Sequence, residues 1–150
     1  MEFAGFLGNS DLKQRISASF QTGRSSHCYL ICGPEGSGKR TLAALMAAAM
    51  QCEEANAPCG RCNICRKVQA GIHPDVIVAE DPEHKNLSVD VVRGIRSDAW
   101  IVPNEGSRKV YIIPRGQDLA VPGQNALLKI LEEPPKNVHI ILGATSEFSI

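Results

Sequence analysis

Apolar and polar positions change period several times along this chain, and each change marks an element. From Asn9 to Gln21, Leu12, Ile16 and Phe20 recur every four positions behind Asn9 and Ser10, either of which can cap a helix. The spacing predicts an amphipathic helix. His27–Cys32 (HCYLIC) is a short apolar run closed by glycine and proline, which predicts a buried strand, and the alanine-rich Lys39–Met50 predicts a helix. Between Gln51 and Cys65 the periodicity gives way to cysteine, proline, asparagine and glycine, the composition of a small inserted knot, and helical character resumes near Asn63. Asp75–Ala79 (DVIVA) predicts a second strand, Val89–Trp100 a helix, and Lys109–Ile113 (KVYII) a third strand. Gln124–Glu133 predicts a helix stopped by Pro134 and Pro135, and Val138–Leu142 (VHIIL) a fourth strand.

Short apolar strands alternating with helices predict an α/β fold, a parallel sheet covered by helices on both faces. At 150 residues, without repeats or low-complexity tracts, one domain spanning 1–150 is expected. The sequence stops at Ile150 soon after a strand, which we read as a cut or a domain boundary. Sixteen basic and sixteen acidic residues cancel, so any DNA contact has to be local or shared rather than driven by a global basic field. The opening residues carry no leader pattern and no segment approaches the roughly 20 apolar residues that span a bilayer, which points to a cytoplasmic protein without membrane contact. Six cysteines are then expected as thiols or metal ligands, not disulfides.

Ile31–Thr41 (ICGPEGSGKRT) carries the most specific chemistry. Gly33, Gly38 and Lys39 fit the phosphate-loop pattern, Gly36 adds flexibility, and amides of the loop and the helix N-terminus would face phosphate oxygens while Lys39 meets the terminal phosphates. The candidate nucleotide-binding residues are Gly33, Pro34, Gly36, Ser37, Gly38, Lys39, Arg40 and Thr41. A glycine-rich turn between strand and helix serves many folds, but this one matches in composition, spacing and context. Arg40 stands where a hydroxyl should meet magnesium, and Thr41 sits one residue late, about 100° further round a helix. Magnesium thus lacks its usual hydroxyl ligand.

Hydrolysis also needs an aspartate at a strand end for the metal and a neighbouring acid for the attacking water. KVYIIPRGQ has the strand, but Pro114 and Arg115 stand in the place of the acids, and neither ligates a metal or acts as a base near neutral pH. Asp118 lies further on, at an expected helix start. The rival acids are Glu80 and Asp81 after DVIVA, in the reverse order; their reaching the phosphate loop would contradict this assignment of strands. No catalytic residue is assigned.

Cys52, Cys59, Cys62 and Cys65 read as C-x6-C-x2-C-x2-C. Four soft ligands this close suit a closed tetrahedral zinc site with a structural role, whereas an iron–sulfur cluster of ferredoxin type would want another cysteine near Gln69. Cys28 and Cys32 are expected as packed thiols. His27, His73, His84 and His139 are read as structural or exposed, and Trp100, near Ile95, Ile101 and Val102, as a core or interface anchor. Arg93, Arg96, Arg108, Arg115 and Lys129 suit a subunit interface, a DNA backbone or simply solvated faces. Thr145, just after the fourth strand, suits a contact to a γ-phosphate.

GPEGSGKRTLA, the CGRC-NIC knot, AGIHPDVIVAEDPEHKNLSVDVVRGI and NALLKILEEPP together resemble the clamp loader of bacterial DNA polymerase III, an AAA+ family, over nearly the whole chain. The HPD turn and the NLSVD-V-R segment are most similar to its delta-prime subunits, and the gamma or tau motor subunits share the knot and the LEEPP helix. The resemblance implies an AAA+ P-loop NTPase-like parallel sheet of about five strands with a zinc module inserted at 52–65. It implies a stator that does not hydrolyse ATP, in a hetero-pentameric ring with gamma/tau and delta subunits that places a sliding clamp on primer-template DNA; the alternative is an ATP-hydrolysing gamma/tau-like motor. Lid and collar domains and the arginine finger would lie outside this chain. Cys52, Cys59, Cys62 and Cys65 match the family's zinc ligands, Lys39 its phosphate-loop lysine, Phe6 to Asn9 its adenine pocket and Thr145 its first sensor. ATP or ADP is compatible with the loop. Polymerase activity would belong to the holoenzyme, not to this chain, which has no paired carboxylates for two metals.

Overall fold

The computed structural model describes residues 11, 14–16, 27–55, 57–80 and 87–145. Four strands, β1 (Cys28–Cys32), β2 (Val76–Val78), β3 (Lys109–Ile113) and β4 (Val138–Ala144), form one parallel sheet in the order β1-β4-β3-β2. The resemblance implies about five strands; the described residues hold four. Because all strands run the same way, their C-terminal ends bring Gly33, Glu80, Pro114 and Thr145 to one edge of the sheet, the edge where parallel sheets bind ligands.

Helices cover both faces, as the alternation predicts. Helix α1 (Lys39–Gln51) and α2 (Asn63–Ala70) pack on the face that shows Val110, Ile112 and Ile141. Helix α3 (Val89–Asp98) and α4 (Val121–Glu132) pack on the other, with Tyr111, Ile113, Ile140 and Leu142. Period-two side-chain alternation in β3 and β4 feeds the two cores, so both strands are buried throughout. Lys109 is buried at the start of β3, where its ammonium meets the Asp98 carbonyl at 2.7 Å and the carboxylate at 3.2 Å. Helix α3 is capped by Ser88, whose Oγ accepts from the Asp90 amide, and α2 ends at Gly71 with φ 74°.

Several expectations need correction. Among the described residues β1 is flanked by β4 alone and is partly exposed along its length. Cys32 is accordingly exposed, not packed, while Cys28 is half-buried and burial pushes its thiol pKa up. Trp100 is 68% exposed and lies past the end of α3, beside exposed Ile101 and Val102, so it is no core residue; Ile95 is. Helix α4 starts at Val121, earlier than expected, because Pro122 sits in the first turn, where a missing N–H costs nothing. Of the expected first helix, Asp11 and residues 14–16 are helical and Ile16 is buried; Asn9, Ser10, Leu12 and Phe20, like Phe6, lie outside the described residues. No helix among the described residues is long and apolar enough to cross a membrane.

Candidate functional site

The chain leaves β1 through Gly33, whose amide donates to the Ala144 carbonyl at 3.1 Å, and turns back at Ser37, whose amide donates to the Pro34 carbonyl at 3.2 Å. Gly36 (φ 79°) and Gly38 (φ 91°) take left-handed backbone that other residues adopt only at a cost, so the turn favours glycine at these two positions. Lys39 Nζ folds over the loop and donates to the carbonyls of Gly33 (2.6 Å) and Pro34 (2.8 Å). A cleft of about 460 Å³ opens beside it, lined by Glu35, Gly36, Gly38, Lys39, Arg40, Thr41 and, from the end of β3, Pro114, Arg115 and Gln117. That volume falls in the roughly 300–1,000 Å³ range of small-molecule sites.

Of the candidate loop residues, Gly36, Gly38, Lys39, Arg40 and Thr41 line the cleft, whereas Gly33, Pro34 and Ser37 do not. Arg40 and Thr41 both line the cleft, so the late threonine is not turned away. Thr145 follows β4 immediately and is exposed, but it is not among the lining residues. Pro114 and Arg115 stand at the cleft, as the strand assignment requires, because β3 pairs with β4 and β4 with β1. Contrary to the expectation that the acids after β2 stay clear of the phosphate loop, Glu80 reaches it and forms an ion pair with Arg40 at the start of α1; it does not line the cleft, and β3 still pairs with β4 beside β1. Asp81 and His84 lie outside the described residues.

Charge in the cleft is arranged around Arg115. Its Nε donates to Asp118 at 2.7 Å and its Nη1 to Glu35 at 2.7 Å, and these two hydrogen bonds raise its pKa above the ordinary guanidinium value. Asp118 belongs to a short 3-10 turn, Gly116–Asp118, directly after β3. Glu35 and Gln117 were not singled out from sequence. Glu35 occupies a variable position of the loop motif, and its partner lies 80 residues away, so no local signal marks it.

The four cysteines gather at the far end of α1, with their Sγ atoms all within 4.8 Å of one another. Cys52–Cys62 and Cys59–Cys65 are each 3.9 Å apart, close to the ~3.8 Å edge of a tetrahedron whose zinc–sulfur bonds are about 2.3 Å. Amides of Cys62 and Cys65 donate to the sulfurs of Cys59 (3.2 Å) and Cys62 (3.3 Å), which favours thiolates. Amide donation from Arg61 and Cys62 lowers the Cys59 pKa to about 6, whereas burial pushes Cys65 up to about 12. The residues fit a structural zinc ion, and all four ligand positions come from the protein.

Beside the cysteines, Asp75 is fully buried. Its carboxylate accepts from the amides of Asn104 (2.6 Å), Glu105 (2.8 Å) and Gly106 (2.7 Å). Burial works to raise its pKa, but these donors outweigh it and hold the carboxyl below the usual value. His73, also buried, accepts the Asp75 amide at 3.1 Å, and Gln51 at the end of α1 donates to the Arg108 carbonyl at 2.6 Å. The HPD turn is thus a structural hub, and His73 fits the structural reading. His139 is buried and its ring stacks on exposed His27 at 6.0 Å.

Comparison with known proteins places this architecture. The profile of the family described as DNA polymerase III, delta subunit, matches residues 8–150. The chain belongs to this family. It is thereby a member of the clamp-loader AAA+ group that its motifs resemble. The tau subunit of DNA polymerase III from Bacillus subtilis (strain 168) is 35% identical over 150 residues, 99% of this chain and 26% of that protein. The gamma subunit from Buchnera aphidicola subsp. Schizaphis graminum is 34% identical over 145 residues, 95% of this chain and 39% of that protein. The chain thus spans between a quarter and two fifths of the length of these curated relatives. A DNA polymerase III gamma subunit-related protein from Thermotoga maritima superposes with a TM-score of 0.68 at 22% identity, over 90% of this chain and 40% of that one, a likeness of fold.

Proposed function

We propose that this delta-family chain serves as a non-hydrolysing, stator-type subunit of the clamp loader. In this reading it is the delta-prime-like subunit and works in the cytoplasm, in a hetero-pentameric ring with gamma/tau and delta subunits that loads the sliding clamp onto primer-template DNA. Residues 1–150 form its AAA+ nucleotide-binding-like domain. Gly33, Pro34, Gly36, Ser37, Gly38, Lys39, Arg40 and Thr41, with Thr145 after β4, would hold the phosphates of ATP or ADP, and Cys52, Cys59, Cys62 and Cys65 would hold a structural zinc ion.

The observation that supports a stator is the end of β3. Where a motor presents acids to magnesium and water, this cleft meets Pro114 and Arg115. The carboxylates nearby, Glu35, Asp118 and Glu80, each face an arginine, and none of them stands at the strand-end positions that Pro114 and Arg115 occupy. Bound nucleotide would be held and not turned over.

A gamma/tau-like motor is the second reading, favoured by the names of the similar curated relatives. Steady-state turnover of Mg-ATP separates the two. The stator reading expects no turnover above background from the purified protein, alone or when the other subunits of the ring are added with their own phosphate-loop lysines replaced. Turnover in either setting that disappears with Lys39→Ala would establish the motor.

A further inference from the structure

A nucleotide polyphosphate carries several negative charges, and in hydrolysing phosphate-loop proteins a divalent ion offsets part of them. This cleft is lined instead by three cations, Lys39, Arg40 and Arg115, with Glu35 the one carboxylate among its lining residues. Arg115 comes from the strand end where the metal's acids would stand, and it is held there by a fork of bonds with unequal partners. Asp118 follows in the adjoining turn, with its side chain only 23% exposed, and fixes Nε. Glu35 belongs to the loop itself, with its side chain 67% exposed, and occupies Nη1. An exposed carboxylate gains little from an ion pair and exchanges readily, whereas a phosphate offers a guanidinium more charge and a bidentate geometry.

We propose that Arg115 takes the place of the divalent ion: the cleft binds a nucleotide polyphosphate in its metal-free form, and Glu35 is an internal anion that the incoming phosphate displaces from Arg115. This rests on the reading that the cleft takes nucleotide phosphates, and it adds which form is taken and what competes with it. Asp118 keeps the guanidinium aimed at the cleft while Glu35 leaves. A magnesium-bound nucleotide would bring a second positive centre against Arg115, so the ion hinders binding where it helps a motor.

Titration calorimetry of the purified protein with ATP and with ADP, in excess EDTA and in excess magnesium, tests this. The wild type is expected to bind at least as tightly in EDTA as in magnesium. Arg115→Ala should weaken binding in EDTA by about tenfold to a hundredfold, the worth of a charge-assisted hydrogen bond. Arg115→Lys, which keeps charge without the fork, should fall between the two. Glu35→Gln should tighten binding by roughly three- to tenfold, because the competing carboxylate is gone. Glu35 and Arg115 are both exposed, so the fold tolerates these changes. Binding that Lys39→Ala abolishes but Arg115→Ala leaves intact would keep the nucleotide site and overturn the role of Arg115. Wild-type binding that requires magnesium would overturn it as well. No wild-type binding in either medium would remove the nucleotide site itself, and this proposal with it.

Discussion

The two edges of the sheet are built from the same residue types to opposite ends. At the C-terminal edge Arg40 and Arg115 pair with exposed carboxylates, and Lys39 donates to backbone carbonyls of a loop whose glycines permit unusual backbone. At the N-terminal edge Asp75 is fully buried and held by backbone amides, next to a cluster of four cysteines. Helix α1 connects the two, running 13 residues, roughly 20 Å, from Lys39 to Gln51. Exposed pairs exchange partners at small cost, and buried charge held by amides does not. One edge is therefore suited to take a ligand and the other to keep α1, the cysteine knot and β3 in fixed relation.

Zinc removal is the strongest way to test the rigid edge. Structural zinc contributes on the order of 10 kcal/mol to the folding of small metal-dependent modules, so a chelator should disorder the knot and α2. Elemental analysis of the native protein should find one zinc per chain. Amide exchange after chelation should lose protection first around Cys59–Val68, with the phosphate loop affected less. Iron in place of zinc, or full protection in reduced protein free of metal, would contradict the assignment.

Asp75→Ala comes next. It strands three amides that now share one buried carboxylate, at a cost of about 3–5 kcal/mol, which lowers the melting temperature by roughly 10 °C for a chain of this length. Nucleotide affinity at the other edge should change little. The carboxyl is held below its unfolded value, so its contribution is present above the unfolded pKa of about 4 and is lost as pH falls through the lower folded value. Asp75→Asn should therefore flatten the acid limb of the stability profile. An unaltered limb would mean that other groups carry it.

The two edges were not equally legible in the sequence. The glycines and Lys39 follow a local motif with a physical requirement at each position, and the cysteines are close enough in sequence to announce their cluster. β3 was read with its observed bounds because both of its faces are apolar. Partners far apart left no such trace: Asp75 meets amides 29 to 31 residues away, and the same composition would suit an exposed turn. Strand order is equally non-local: HCYLIC read as buried, yet among the described residues it has β4 alone beside it and Cys32 is exposed. Pro122 shows a different limit, since a proline that breaks a helix interior is tolerated in a first turn.

A single glycine tests how far the two edges are separate. Gly143 lies in β4, and a Cβ there would stand 2.5 Å from the Pro114 carbonyl oxygen. The obstacle is backbone and cannot rotate away, so Gly143→Ala has to push the end of β3 aside, at about 1–3 kcal/mol for an overpacked core. The cost is smaller than at Asp75, but the displaced atoms belong to Pro114, which lines the cleft and precedes Arg115. The substitution should thus lower stability and nucleotide affinity together, where Asp75→Ala lowers the first alone. Calorimetric melting and titration of the same sample decide it. A loss of stability with affinity unchanged would show that the cleft does not depend on where β3 ends, and the placement of Arg115 by the strand would lose its basis.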